Sequence, residues 1–560
     1  MSDQQVKTIV LVDVDGLRRD VLYHVLAKGN ESLAPNLHRI FGEITFKDHI
    51  APSLGDLLVP CEIQKATGVV VNKCITVSPS YTHPCQASLF TGLYPRNHGI
   101  TANFPFDRRG RSLAAMGREK NFSSLDAIRF YDAIGSANQM LRQGTQTIYD
   151  HLAEQHLKSA IVFQFFSTQN ENMINPSSKK NGAKPIDWIK PQVDEMILSQ
   201  IENPDDYQEC IIAKIFPQKP LFDDAMMDKA IELIEQIDRT EQVPNLLTLY
   251  FAGHDHFAHQ HASAEDQEKY LMDHVDRCLG RFLTTLSSKE DVVDLKHTLF
   301  IICSDHGHTG IADADKRFIK ARKVSDILSA CGIDTQDKKK EFLKLPMDDS
   351  TCLIKDTAGL MHIFIRGGSS ADPSWAQPPD ASQVQSLLHS LCTKVKEQNH
   401  SEKDNMSGIG NQLLQGIDAI LFHDHEQNNY QTYYLRHGPF SQGAPIAETL
   451  SQGVGYLPMK TYIDEMTCEN SGDIILIPRY LDGFRFESKE ATNSTHGSLA
   501  TTDMLVPLIF SCPYNHDLVK QLFAGNSHVI EQARNVDLTP TILDLFHVCG
   551  TGCDGKSLLR

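Results

Sequence analysis

The sequence predicts an α/β fold, a mostly parallel central sheet flanked by helices and interrupted by an inserted α/β cap subdomain. Three observations predict it. Short aliphatic runs recur that are continuous rather than alternating, helical patterns lie between them, and a second group of strand-like runs breaks the series before it resumes at Val506. Continuous apolar runs suit strands buried on both faces, and strands alternating with helices make an α/β domain.

The elements follow in order. Residues 7–13 (KTIVLVD), 159–165 (SAIVFQF), 246–251 (LLTLYF), 298–304 (TLFIICS) and 506–511 (VPLIFS) read as buried strands. After a Ser263 cap, with Glu265 and Asp266 in the first turn, the residues Tyr270, Leu271, His274, Val275, Cys278, Leu279, Phe282, Leu283 and Leu286 recur at helical spacing. Residues 167–222 are rich in Pro and polar sequence (SSKKNGAKP) and read as a lid-like elaboration. New strand-like runs (LMHIFIR, AILFH, YQTYYLR, DIILIPR) then lie within residues 315–485, the expected inserted cap. The catalytic core is thus expected from residues 1–314 and 486–560, in two parts.

Composition narrows the function. With 53 Lys and Arg against 71 Asp and Glu, the formal charge of −18 argues against general nucleic-acid binding, which needs clustered cations. A small phosphorylated substrate held by metal ions remains open. No apolar run reaches the roughly eighteen residues of a membrane span. The N-terminus (MSDQQVKTIVLVDVDG) shows no secretory leader, and the 13 cysteines are scattered, which suits reduced thiols and a cytoplasmic location. The oligomeric state is not legible.

Asp and His cluster where strands end. VDVDG carries Asp13 and Asp15, LYFAGHDHFAHQH places Asp255 and His259 four apart, IICSDHGH carries Asp305 and His306, and TNSTHGSL carries His496. In open α/β sheets, ligands gather beyond the carboxyl ends of the strands. Mixed oxygen and nitrogen ligands suit Zn²⁺, with Mn²⁺ and Fe as relatives, and two such ions about 4 Å apart would clamp a phosphoryl group. Thr82, in PSYTHPCQASLFTGLYPRNHGI, precedes a Pro that fits a first helical turn, so amide N–H groups would point at the same place. A hydroxyl there would need activation, because at its own pKa it is a poor nucleophile.

With these motifs in place the chain resembles the alkaline phosphatase superfamily, and within it the type I phosphodiesterase/nucleotide pyrophosphatase family. The family's Thr-x-Pro, TGLYPxxHGI, D-x-x-x-H, DHG and late HG stand here in order: Thr82 to Pro84, Thr91 to Ile100, Asp255 to His259, Asp305 to Gly307, and His496-Gly497. The resemblance implies an alkaline-phosphatase-like fold and two divalent metal ions, Zn²⁺ ahead of Mn²⁺. It implies one ion on Asp15, Thr82, Asp305 and His306, the other on Asp255, His259 and His496. Thr82 would attack phosphorus to give a phosphothreonine, which a metal-bound hydroxide would cleave. Asn103 would bind a phosphoryl oxygen. Tyr250 matches an aromatic that stacks on a nucleotide base, with packing in the core as its other reading. Asp13 is the alternative to Asp15 as ligand. His83, Cys85 and Gln86 depart from the family pattern beside the nucleophile, where they would shape the substrate slot.

The function so implied is metal-dependent hydrolysis of phosphodiester or pyrophosphate bonds in a small, nucleotide-like substrate. A phosphomonoesterase or a phosphotransferase or mutase is the alternative within enzymes, and a metal-binding pseudoenzyme serving as a partner-binding module the alternative outside them. A sulfatase is disfavoured, because its Cys/Ser-x-Pro-Ser-Arg signature is absent. GTGCDGKS at residues 550–557 matches a phosphate loop in form, but no helix can follow it to hold the phosphates. His254, His256 and His261 read as supporting or solvent-facing residues, and Asp313 with Asp315 as an exposed acidic turn.

Overall fold

The computed structural model describes the chain except for residues 1–4, 48–51, 59, 104–105, 107, 109–137, 163, 168–172, 175–220, 239–242, 311–316, 320, 331, 334, 337–351, 370–371, 402–412, 414, 436–443, 446–454, 487–492, 524–527 and 560. Most of the lid-like segment near 167–222 and the Asp313/Asp315 turn lie outside the described residues.

Thr8–Val14 is central because all seven of its residues are apolar enough, or paired enough, to be covered on both faces. It runs parallel to Leu246–Phe251 on one side and to Thr298–Cys303 on the other, with Asp13 level with both Tyr250 and Cys303. That register brings the carboxyl ends of three strands to one height, which is what gathers Asp15, Asp255 and Asp305. Ser159–Val162 and Met173–Ile174 extend the parallel part.

The sheet is mostly parallel, as expected, and antiparallel pairings are confined to its opposite flank. Leu508–Ser511 runs antiparallel between Thr298–Cys303 and Val69–Ile75, so the nine-stranded sheet is mixed. The chain enters this flank through the short strand Leu505–Val506, itself antiparallel to Val69–Ile75, and runs on into Leu508–Ser511 in the same direction. Helices cover the faces. Pro35–Phe41, Leu221–Gln236 and Asp276–Ser287 pack together on one of them. The helical pattern after Ser263 is present but interrupted, as Ala264–Tyr270, a wide turn at Leu271–Val275, and Asp276–Ser287. Ser263 caps it, its Oγ accepting from the Asp266 amide at 3.0 Å.

Strands between Thr335 and Pro445, joined by Ile474–Pro478, form a second sheet of seven strands, antiparallel except at its Thr335–Gln336 end. One face buries Val384, Leu388 and Leu391 of the helix Ala381–Ser401. The other shares a core with Met459–Met466, with Ile75 and Leu505 at the central sheet's edge, and with Met504 of the short helix Thr501–Met504 before it. The two sheets are therefore joined by continuous apolar packing. The eleven described cysteines are all free thiols. Among the described residues no helix is long and apolar enough to cross a membrane.

Candidate active site

Each predicted site residue leaves a regular element within a few residues of its end. Asp15 follows Thr8–Val14, where the chain turns at Gly16 (φ +70°). Asp255 and His259 lie one turn apart on Gly253–Gln260, the helix that begins just after Leu246–Phe251. Asp305 and His306 follow Thr298–Cys303. Thr82 opens the helix Thr82–Thr91 with Pro84 in its first turn, and His496 follows the short strand Ser494–Thr495.

The structure brings seven of these side chains into two adjoining groups. In the first, His306 Nε2 lies 3.2 Å from Thr82 Oγ1, 3.4 Å from Asp15 Oδ1 and 3.5 Å from Asp305 Oδ2. In the second, Asp255 Oδ2 lies 3.6 Å from His259 Nε2 and Asp255 Oδ1 3.6 Å from His496 Nε2. The His306 and His496 rings stack at 3.7 Å between centroids and join the groups.

The carboxylates are half-used. Asp15 accepts from the Tyr250 hydroxyl through Oδ2, while its buried Oδ1 has no hydrogen-bond partner. Asp305 accepts from the amides of Gly16 and His306 through Oδ1, at 3.1 and 2.9 Å, and its buried Oδ2 is likewise orphaned. Both orphans face His306. Burial, then the nearby Asp305 and Asp255 charges, push the Asp15 carboxyl well above its ordinary range. An unpaired carboxylate oxygen away from water costs several kcal/mol on the order of a buried-charge penalty, which a cation removes.

The spacings also fit a cation. Ligand atoms about 2.0–2.1 Å from a tetrahedral ion lie about 3.3 Å from one another. The five separations above, from 3.2 to 3.6 Å, cluster around that edge. The close-set donors Asp15, Asp305 and His306, and Asp255, His306, His308 and His496, therefore fit divalent cations. Burial disfavours a charged Asp255, but His259, His308 and His496 outweigh it and hold its carboxyl well below the usual value.

Four further placements refine the sequence reading. Asp13 is fully buried behind the site, accepting from Gln164 Nε2 at 3.3 Å, so Asp15 and not Asp13 faces His306. Tyr250 is 2% exposed, its ring edge-on to Phe165 and its hydroxyl given to Asp15. This is the core packing that stood as the other reading of Tyr250. Asn103 Oδ1 accepts from the His83 amide at 3.0 Å, and the Asn103 carbonyl accepts from His83 Nδ1 at 2.5 Å. The His83 ring meets the edges of Phe165 and Phe166, and burial lowers its pKa to about 4, so it is uncharged.

Sequence reasoning missed His308. It is fully buried, with Nε2 2.7 Å from Asp255 Oδ1, and the signal was the second His of DHGH. Of the spare histidines, His254 donates from Nδ1 to the Asp15 carbonyl and His261 stacks on Phe257. The GTGCDGKS segment is a turn: Asp554 accepts from Tyr94 and Asn97, and the Asp554 amide donates to the Gly92 carbonyl.

The comparisons agree with this fold. A family model described as type I phosphodiesterase/nucleotide pyrophosphatase matches residues 9–366. Among solved structures the chain is similar to the alkaline phosphatase PafA, with a TM-score of 0.56, 14% identity and coverage of 100% of this chain and 99% of that one. It is similar to murine ectonucleotide pyrophosphatase/phosphodiesterase 5, with a TM-score of 0.51, 14% identity and coverage of 99% and 100%. An inactive variant of that murine protein was solved with AMP. The human counterpart gives 0.52, 13% identity, and 98% and 97% coverage. No curated protein matches the chain by sequence.

Proposed function

This chain belongs to the type I phosphodiesterase/nucleotide pyrophosphatase family, a group of phosphoric ester hydrolases, and from that premise we propose that it cleaves phosphodiester or pyrophosphate bonds of small nucleotide-like substrates through Thr82. The observation that carries the reading is the pair of orphaned oxygens, Asp15 Oδ1 and Asp305 Oδ2, facing His306 beside the Thr82 hydroxyl. Asp15, Thr82, Asp305 and His306 would hold one cation, Zn²⁺ ahead of Mn²⁺, and Asp255, His259 and His496 the other. When bound, the two cations lower the pKa of the hydroxyl and offset charge on the phosphoryl oxygens.

The chain's own groups do the rest. Thr82 stands at a helix N-terminus, where amide N–H groups favour an anion. Asn103 has its Oδ1 occupied by the His83 amide, which leaves its NH₂ group to donate to a phosphoryl oxygen. Thr82 loses its proton and Oγ bonds to phosphorus as the bond to the leaving oxygen breaks, and that oxygen departs as alcohol or phosphate. Water then cleaves the phosphothreonine and restores the hydroxyl. Uncharged His83 with Phe165 and Phe166 makes an aromatic wall beside the nucleophile. Such a wall suits an organic substituent on phosphorus better than the extra charge of a monoester, which needs cations.

The test is hydrolysis of a nitrophenyl phosphodiester, a nitrophenyl phosphomonoester and a nucleotide pyrophosphate, side by side with Zn²⁺ or Mn²⁺. Thr82→Ala is the control. Diester or pyrophosphate turnover that disappears in the variant supports the proposal. Preferred monoester turnover would move the protein to phosphomonoester chemistry, and absence of turnover with both cations bound would favour a binding module.

A further inference from the structure

Four histidines converge on the site, and their hydrogen bonds divide them into two kinds. His259, His306 and His496 each set Nδ1 against a main-chain carbonyl oxygen, of Ser494, Gly307 and Ser80 respectively, at 3.0, 3.1 and 3.0 Å. A carbonyl only accepts, so each neutral ring carries its proton on Nδ1 and turns a bare Nε2 lone pair toward the carboxylates. That is the form in which an imidazole binds a cation.

His308 is wired in reverse. Its Nε2 lies 2.7 Å from Asp255 Oδ1, a carboxylate oxygen that only accepts, while its Nδ1 lies 3.0 Å from the Ser494 hydroxyl, which can donate. The proton therefore sits on Nε2. Distance gives the same answer: 2.7 Å is a hydrogen bond, and is well short of the roughly 3.3 Å edge between two ligands of one tetrahedral ion. The other pairs in the site, at 3.2 to 3.6 Å, match that edge.

We propose that His308 is a positioning residue that fixes the rotation of the Asp255 carboxylate, without itself contacting the second cation. Its hydrogen bond occupies one lone pair of Oδ1 and sets Oδ2 toward His259. Ser494 serves twice, holding His308 through its hydroxyl and His259 through its carbonyl. Gly16 makes room for the ring: a Cβ there would lie 2.8 Å from His308 Cδ2 and Nε2, in a backbone conformation (φ +70°) that already favours glycine. The DG of the first motif and the second His of DHGH are thus two halves of one packing arrangement. With His308 not a ligand, the second position would keep the three protein ligands Asp255, His259 and His496 and so would have room for substrate or water, as catalytic sites do.

This inference rests on the two-cation reading, and the experiment separates the two. The full chain, stripped by a chelator, is titrated with Zn²⁺ against a competing chelator and separately loaded with Co²⁺ for visible absorption. Wild type, His308→Ala and His308→Gln are compared. The expected result is two equivalents in wild type and, in His308→Ala, one equivalent weakened about 10- to 100-fold with the other unchanged. The Co²⁺ bands keep the intensity of the same ligand number, and His308→Gln, whose amide can donate to Asp255, recovers most of the affinity. Unchanged affinity at both positions in His308→Ala overturns the proposal, as does equal weakening of both. A Co²⁺ spectrum that loses a ligand in His308→Ala overturns it too, because His308 would then be a ligand. A wild type that takes up no cation instead sinks the two-cation reading beneath it.

Discussion

A buried ion pair ties the nucleophile's surroundings to the second sheet. Arg108, five residues beyond Asn103, gives Nη2 to Asp473, and the side chains are 3% and 0% exposed. Asp473 also accepts from the Ile365 amide at 2.6 Å and from His425 Nε2 at 2.7 Å. Arg108 donates in addition to the Ile365 carbonyl at 3.1 Å, between the rings of Phe106 and Phe364. Replacing Asp473→Leu leaves a buried guanidinium without a counter-charge, at about 3–5 kcal/mol, and orphans the Ile365 amide for about 1–3 kcal/mol more. Measured against a domain stability of about 5–15 kcal/mol, that is a severe loss. Adding Arg108→Met removes the unpaired charge, so the double variant should recover about 2–4 kcal/mol relative to Asp473→Leu alone. The two sheets need not unfold as one unit, so the readout is hydrogen exchange across the strand Leu360–Ile365 together with urea unfolding. Turnover should fall about 10- to 100-fold in Asp473→Leu, since a shift of the Asn103 segment by an ångström is enough to cost that much. A cost below about 1 kcal/mol for Asp473→Leu, or a double variant no more stable than that single one, would refute the reasoning.

Further outcomes follow from the same geometry. A Cβ at Gly497 would lie 2.1 Å from the Tyr81 ring at φ +107°, so Gly497→Ala should displace Tyr81 and His496 together. Turnover should drop at least about tenfold and stability by about 1–3 kcal/mol, checked by kinetics and thermal unfolding. Chelation should lower the midpoint of thermal unfolding by several degrees, with recovery on adding Zn²⁺ or Mn²⁺, because the removed cations leave Asp15 and Asp305 uncompensated. An unchanged midpoint would show that the carboxylates need no cation. His24 hydrogen-bonds Glu268 at 2.5 Å, which raises the His24 pKa above its ordinary value. A raised folded pKa gives stability that is complete below the unfolded value of about 6.5 and is lost as pH climbs through the folded one. Urea midpoints of wild type and Glu268→Gln should therefore differ most between about pH 5 and 6.5 and converge toward about pH 9. An equal gap at every pH would contradict the assignment.

Much of this protein was legible in its sequence because the decisive signals were local. Continuous aliphatic runs marked the buried strands, and the Asp and His residues directly after them marked the sheet's carboxyl end, where parallel register brings them to one height. The GTGCDGKS match was set aside by the structure as well, where the segment is a turn held by Asp554 on Tyr94 and Asn97. The mixed direction of the sheet was not legible, because a strand's apolar pattern is the same whichever way it runs.

Choices between neighbours or across the fold fell to the tertiary structure. Between Asp13 and Asp15 the sequence offers only the Gly after Asp15 as a reason to prefer it. One is enclosed at the end of a strand behind the site, and the other lies past the strand end at the Gly16 turn, facing His306. Tyr250 gives its hydroxyl to Asp15 because parallel pairing sets the ends of their strands side by side. Asp473 meets Arg108 across 365 positions, and His308 meets Gly16 through two strands that only pairing makes adjacent. Sequence determined which chemical groups this protein possesses and at which strand ends they stand. Folding decided which lone pair each group offers, because that depends on distances and hydrogen-bond partners supplied by residues remote in the chain.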